Sequence, residues 1–150
     1  VDKGNELAMI NYAMLLRDGE GVEINKKEAA RLFKIAADKG YDVAMNSYGS
    51  MLYHGDGIEM NKKEALRYYK MAVDKGNTLA MFNYGGAFYN GDGIEVNKKE
   101  AAKYFKMAAD DGYANSMFNY GLMLDKGEGV KADKKEAARY LEMAKTRSST

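Results

Sequence analysis

The chain has 150 residues, a formal net charge of +1, an apolar content of 46 % and neither cysteine nor proline. That length can bury one sizeable core. The missing cysteine excludes disulfides and thiolate metal sites while leaving the compartment unassigned. The balanced charge offers no basic nucleic-acid groove and no polybasic membrane patch, and no apolar run of about 18 residues is present to span a bilayer.

A 36-residue period governs the whole sequence, and internal repeats set the reading before any motif does. Gly4, Gly40, Gly76 and Gly112 share one phase, as do Tyr12, Tyr48, Tyr84 and Tyr120. The pairs Gly19/Gly21, Gly55/Gly57, Gly91/Gly93 and Gly127/Gly129 share another. The repeats run about 5–40, 41–76, 77–112 and 113–147 within a single domain. The opening Val1-Asp2-Lys3-Gly4 copies Val73-Asp74-Lys75-Gly76, so it reads as the end of an upstream repeat.

The first helix is expected over Glu6 to Arg17. Leu7, Ala8, Ile10, Tyr12, Leu15 and Leu16 form a broad apolar face with helical spacing. Asp18-Gly19-Glu20-Gly21-Val22 follows, with glycines suited to a helix C-cap and a tight turn. The β-branched residue after it (Val22, Ile58, Ile94, Val130) is read as plugged into the core. Asn25-Lys26-Lys27-Glu28 then fits a capping box, repeated at Asn61/Glu64, Asn97/Glu100 and Asp133/Glu136. The second helix buries Ala29, Ala30, Leu32, Phe33, Ile35, Ala36 and Ala37 and stops at Gly40. One helix pair cannot bury both of its apolar faces, whereas stacked pairs form a superhelix with contacts between neighbours. In the fourth unit Lys145 stands where Ala37, Val73 and Ala109 stand, as suits a terminal cap, and the tail from Arg147 to Thr150 is expected to fray.

These residues carry a family resemblance. Ala80-Met81-Phe82-Asn83-Tyr84-Gly85, Gly91-Asp92-Gly93-Ile94 and the set Ala101, Tyr104, Phe105, Ala108, Ala109 and Gly112 resemble the Sel1-like repeat family, within the tetratricopeptide-like superfamily. The match covers essentially the whole chain. Ala13 for the usual Gly, Ser116 for Ala and the lack of a loop proline are mild departures. The resemblance implies an all-α, right-handed superhelical solenoid that acts as an adaptor for protein or peptide partners, with no catalysis and no cofactor.

Chemical motifs give way to structural readings. Gly-x-Gly lacks the third glycine, the strand and the βαβ unit of a dinucleotide site. The acidic loop from Asp18 places Val22 and Glu23 where a calcium loop needs a ligand and a glycine. His54 is the single histidine and has no cysteine or second histidine to join it in a zinc or nucleophilic site. The Lys-Lys pairs are each followed by Glu and read as surface charge at a helix start, so no nucleic acid is expected.

Positions that differ between copies are the candidates for recognition, because packing asks for the same residue in each copy. They are Ile10/Asn46/Phe82/Phe118, Met14/Ser50/Gly86/Leu122 and Arg17/Tyr53/Tyr89/Asp125, which share one helix face. Asn11, Ser47, Asn83 and Asn119 lie beside them, and His54 and Asn90 end their helices. By analogy with tetratricopeptide repeats this face lines a concave groove, with aromatics as hot spots. The alternatives are a structural spacer, self-association through the open stacking face at the first repeat, or a hydrolase built on acidic pairs, for which no nucleophile–base arrangement is present.

Overall fold

The computed structural model describes residues 3–148, and over these it contains helices and no strands. The helices are α1 (Lys3–Asp18), α2 (Lys26–Asp38), α3 (Asp42–His54), α4 (Lys62–Asp74), α5 (Thr78–Asn90), α6 (Lys98–Asp110), α7 (Ala114–Lys126) and α8 (Lys134–Ser148). They fall into two compact units, α1–α4 over residues 1–77 and α5–α8 over residues 78–150.

Each second helix begins at the expected cap. Asn25, Asn61 and Asn97 accept the N–H of the Glu three residues on at 3.1 Å, and Asp133 does so at 3.0 Å. The other half of the capping box is replaced. The cap N–H donates to a carbonyl of the preceding helix: Asn25 to Leu16, Asn61 to Leu52, Asn97 to Phe88 and Asp133 to Leu124, at 2.8–2.9 Å. With the cap N–H satisfied, the Glu28 and Glu136 carboxylates pair instead with Arg31 and Arg139, at 2.5 and 2.6 Å, and Glu64 pairs with Arg67. One residue thus starts the second helix and fastens it to the first.

The two glycines of each loop do different work. Gly55 and Gly127 close α3 and α7 in the left-handed region, at φ 64° and 71°. In two of the loops the second glycine marks a close approach between neighbouring repeats, whereas a Cβ on Gly21 would meet nothing within 4 Å. A Cβ on Gly57 would collide with the Lys26 side chain, and one on Gly129 with the Lys98 carbonyl. Beside these contacts Lys26 pairs with Asp56 at 2.6 Å and Lys98 with Glu128 at 2.7 Å.

In the first unit the core is built from Ala13, Leu16, Ala29, Phe33, Ala36, Met45, Met51, Ala65 and Tyr69, all nearly or fully buried. The Tyr68 hydroxyl donates to Asp38 at 2.8 Å, tying α4 back to α2. The second unit repeats the scheme on its own residues, with Phe105, Met117, Tyr120, Met123, Leu124 and Tyr140 at its centre and Phe82, Phe88, Tyr89, Val130 and Met143 packed around them. There the Tyr140 hydroxyl donates to Asp110 at 2.7 Å.

Several expectations change. α1 begins at Lys3, so Gly4 lies inside a helix, while Val1 and Asp2 lie outside the described residues. Leu7, Ala8, Tyr12 and Leu15 are exposed, and of that apolar face only Ile10 and Leu16 are buried, joined by Ala13. Ala8, Tyr12 and Leu15 correspond to Ala44, Tyr48 and Met51, of which Ala44 and Met51 are buried and Tyr48 half-buried. Val22 is exposed, whereas Ile58, Ile94 and Val130 are half-buried, so the loop plug is partial. α8 continues to Ser148, so Arg147 is helical, and Ser149 and Thr150 lie outside the described residues. Lys145 is exposed, in keeping with a polar residue on that face.

Candidate partner-binding surface

The first helix of each pair carries the variable positions, and its face can be followed within each unit. In the first unit, Val43 is exposed, Asn46 and Ser50 are half-buried and His54 is exposed at the helix end. Tyr53 is half-buried: its ring lies 5.8 Å from that of Tyr69, meets the His54 ring edge-on at 5.3 Å and has the Lys62 ammonium 5.4 Å above it. Arg17 lies over the Phe33 ring at 5.5 Å and forms a two-pronged contact with Asp18 at 2.9 and 3.1 Å. Asn11 is exposed. Two assignments are corrected here. Ile10 is 4 % and Ser47 8 % exposed, so both are interior positions.

In the second unit, Leu79 and Asn90 are exposed, and Phe82, Asn83, Gly86 and Tyr89 are half-buried. The Phe82 ring lies 5.8 Å from Phe105 and 5.2 Å from Tyr113, which opens the next repeat. Tyr89 is held at both ends. The Lys98 ammonium is 4.5 Å from the centre of its ring, and its hydroxyl meets the Glu128 carboxylate at 3.3 Å. The hydrogen bond between Lys98 and Glu128 holds the lysine above and the carboxylate below its ordinary pKa, so both stay charged. On α7, Phe118 is 50 % exposed, Asn115 is exposed and Asn119 and Leu122 are half-buried. A cleft of about 680 Å³ lies beside Phe118, between α7 and α8.

Three of the four candidate aromatics therefore take part in packing as well as facing outward, and Phe118 is the one left half open. The inter-copy comparison missed the position at the start of each first helix, where Leu7, Val43 and Leu79 are 52 %, 42 % and 48 % exposed and the fourth copy has Asn115. The signal was present, since Leu, Val, Leu and Asn differ between copies, but Leu7 fits the apolar spacing of α1 and was absorbed into it. Among the described residues no group of three His, Cys, Asp or Glu is placed to hold a metal ion, and no helix is long and apolar enough to cross a membrane.

The Sel1 repeat family model matches four times in succession, over residues 6–41, 42–77, 78–113 and 114–149. The chain belongs to the Sel1 repeat family. The matched frames begin one residue later than the sequence period alone places them. Solved structures give the same fold. A protective antigen of uropathogenic Escherichia coli with this repeat fold, c5321, matches at a TM-score of 0.90 and 26 % identity, over 96 % of this chain and 31 % of that one. A Sel1 repeat protein of Oxalobacter formigenes matches at 0.88 and 27 % identity, over 95 % of this chain and 58 % of that one. The cysteine-rich protein B of Helicobacter pylori matches at 0.66 and 19 % identity, over 82 % and 91 %. The chain thus spans under two thirds of the first two. No curated protein matches it. As a Sel1 repeat protein it has the all-α helical-repeat solenoid architecture, a fold that generally serves as a scaffold and typically mediates protein–protein interaction.

Proposed function

We propose that this Sel1 repeat chain is an adaptor that binds a protein or peptide partner on the outward face of its first helices, without bond chemistry. The observation that supports it best is the recurring exposure of an aliphatic side chain at one register, Leu7, Val43 and Leu79, next to the half-exposed Asn46 and Phe82. Exposed apolar residues rimmed by polar ones are a usual mark of an interaction site. The amides of Asn46 and Asn83 and the aromatics Tyr53, Phe82, Tyr89 and Phe118 supply polar and stacking contacts around them.

Affinity capture with the whole chain beside a Val43→Ser/Leu79→Ser variant tests the reading. A partner retained by the first and lost by the second, with both showing the same circular dichroism, supports it. Equal retention would move the site off the first helices, and no retention by either would favour a spacer. A second reading has its own observation: Ala8, Tyr12 and Leu15 of α1 are exposed, whereas Ala44 and Met51 one period on are buried, which leaves an apolar face for a second copy to cover. Head-to-tail pairing of copies through it would be broken by Tyr12→Lys in light scattering.

A further inference from the structure

We propose that the cleft between α7 and α8 receives one aromatic side chain from a partner peptide, with an adjacent acidic residue set against Lys145. This deepens the adaptor reading and rests on it. The cleft, of about 680 Å³, is walled by Phe118, Leu122, Leu141 and Ala144, with Asn115 and Lys145 completing it. That volume lies within the range of about 300–1,000 Å³ usual for ligand pockets.

The second unit itself shows what such a seat accepts. One period earlier, Phe82 and Phe105 occupy the positions of Phe118 and Leu141. There the Tyr113 ring meets Phe82 edge-to-face at 5.2 Å, with Phe105 on the other side of Phe82 at 5.8 Å. Phe118, one period beyond Phe82, is 50 % exposed. Leu141 in place of Phe105 also leaves more room for an incoming ring. Edge-to-face contact with Phe118 and burial against Leu122 and Ala144 suit a Tyr or Phe side chain.

Charge sets the second half of the preference. Lys145 lines the cleft where the preceding repeat has Ala109. A carboxylate next to the aromatic gains a charge-assisted hydrogen bond at an apolar edge, where it is stronger than in bulk water.

The test is a ¹⁵N-resolved titration of the chain with the capped peptide Gly-Ser-Tyr-Glu-Gly-Ser. Shifts confined to α7 and α8 with a Kd below about 1 mM are expected. Exchanging the peptide's Tyr for Ala should abolish them, and exchanging its Glu for Lys should weaken binding by at least about tenfold. On the protein, Phe118→Ala should weaken binding by about tenfold or more. Leu141→Phe, which restores the residue of the preceding repeat and keeps the fold, should fill the seat and do the same. Absent shifts, shifts elsewhere, or binding unchanged in both variants would overturn the proposal. So would self-association of the chain that Phe118→Ala abolishes, since a second copy would then hold the cleft. A partner captured through Val43 and Leu79 by the Leu141→Phe chain would leave the adaptor reading standing while this site fails.

Discussion

Two neighbouring glycines in α5 behave differently although both are helical. A Cβ on Gly85 would stand 3.1 Å from the Phe105 ring and 3.3 Å from the Ala101 carbonyl, whereas one on Gly86 meets nothing within 4 Å. Glycine inside a helix costs about 0.5–1 kcal/mol against alanine. Gly86→Ala should therefore raise stability by about that amount, and Gly85→Ala should fall about 1–2 kcal/mol short of it because the site is already filled. Urea denaturation of the two variants measures both. Ser116 gives a second case. Its hydroxyl is buried with no hydrogen-bond partner, at a position where Ala44 and Ala80 are fully buried. Removing an unsatisfied buried hydroxyl and gaining helix propensity should make Ser116→Ala more stable by about 1 kcal/mol, a rise in Tm of about 2–4 °C. The departure of Ser116 from the repeat was visible in the sequence. Its cost was not, because burial at that position depends on the stacking of α7.

At the scale of elements, caps, turns and helix order were legible, since Asn25, Gly55 and their copies encode local backbone geometry. What escaped was set by neighbours. In three copies the Glu of the capping box turns to an arginine because the cap N–H finds the previous helix, and Tyr12 is exposed although Tyr120 is 7 % exposed. Asn61→Ala should cost about 1 kcal/mol for the lost cap, measured as a lowered urea midpoint with an unchanged slope. Acid should weaken the links between repeats. Burial works to raise the Asp38 and Asp110 carboxyls, yet the Tyr68 hydroxyl and Lys34, and likewise Lys106 and the Tyr140 hydroxyl, outweigh it and hold both below the usual range. The Tyr41 hydroxyl and then Lys39 hold Glu6 low in the same way. A carboxylate lowered on folding stabilises the native state above its unfolded pKa, about 4, and loses that contribution as pH falls through the folded value. Thermal stability should hold from neutral pH down to about pH 5 and decline below about pH 4. Tyr68→Phe should flatten the decline, and an identical profile in that variant would remove Asp38 from the account.

For the whole molecule, four matched Sel1 repeats place the chain in a family that typically mediates protein–protein interaction, and the period together with the family resemblance made that fold readable. The binding surface was less legible, because inter-copy variation marks positions freed from one packing role without telling groove from neighbour contact. Phe82 and Tyr89 vary and also pack, while Val43 and Leu79 were hidden by fitting an apolar helix pattern. The most direct test of the adaptor claim is site-specific photo-crosslinking, with benzoylphenylalanine at Val43 or Leu79 on the first helices and at Arg31 or Lys103 on the exposed side of the second. Adducts to one partner protein from Val43 and Leu79, and none from Arg31 and Lys103, are the predicted result. Adducts only from the second-helix positions, or none from any, would contradict it.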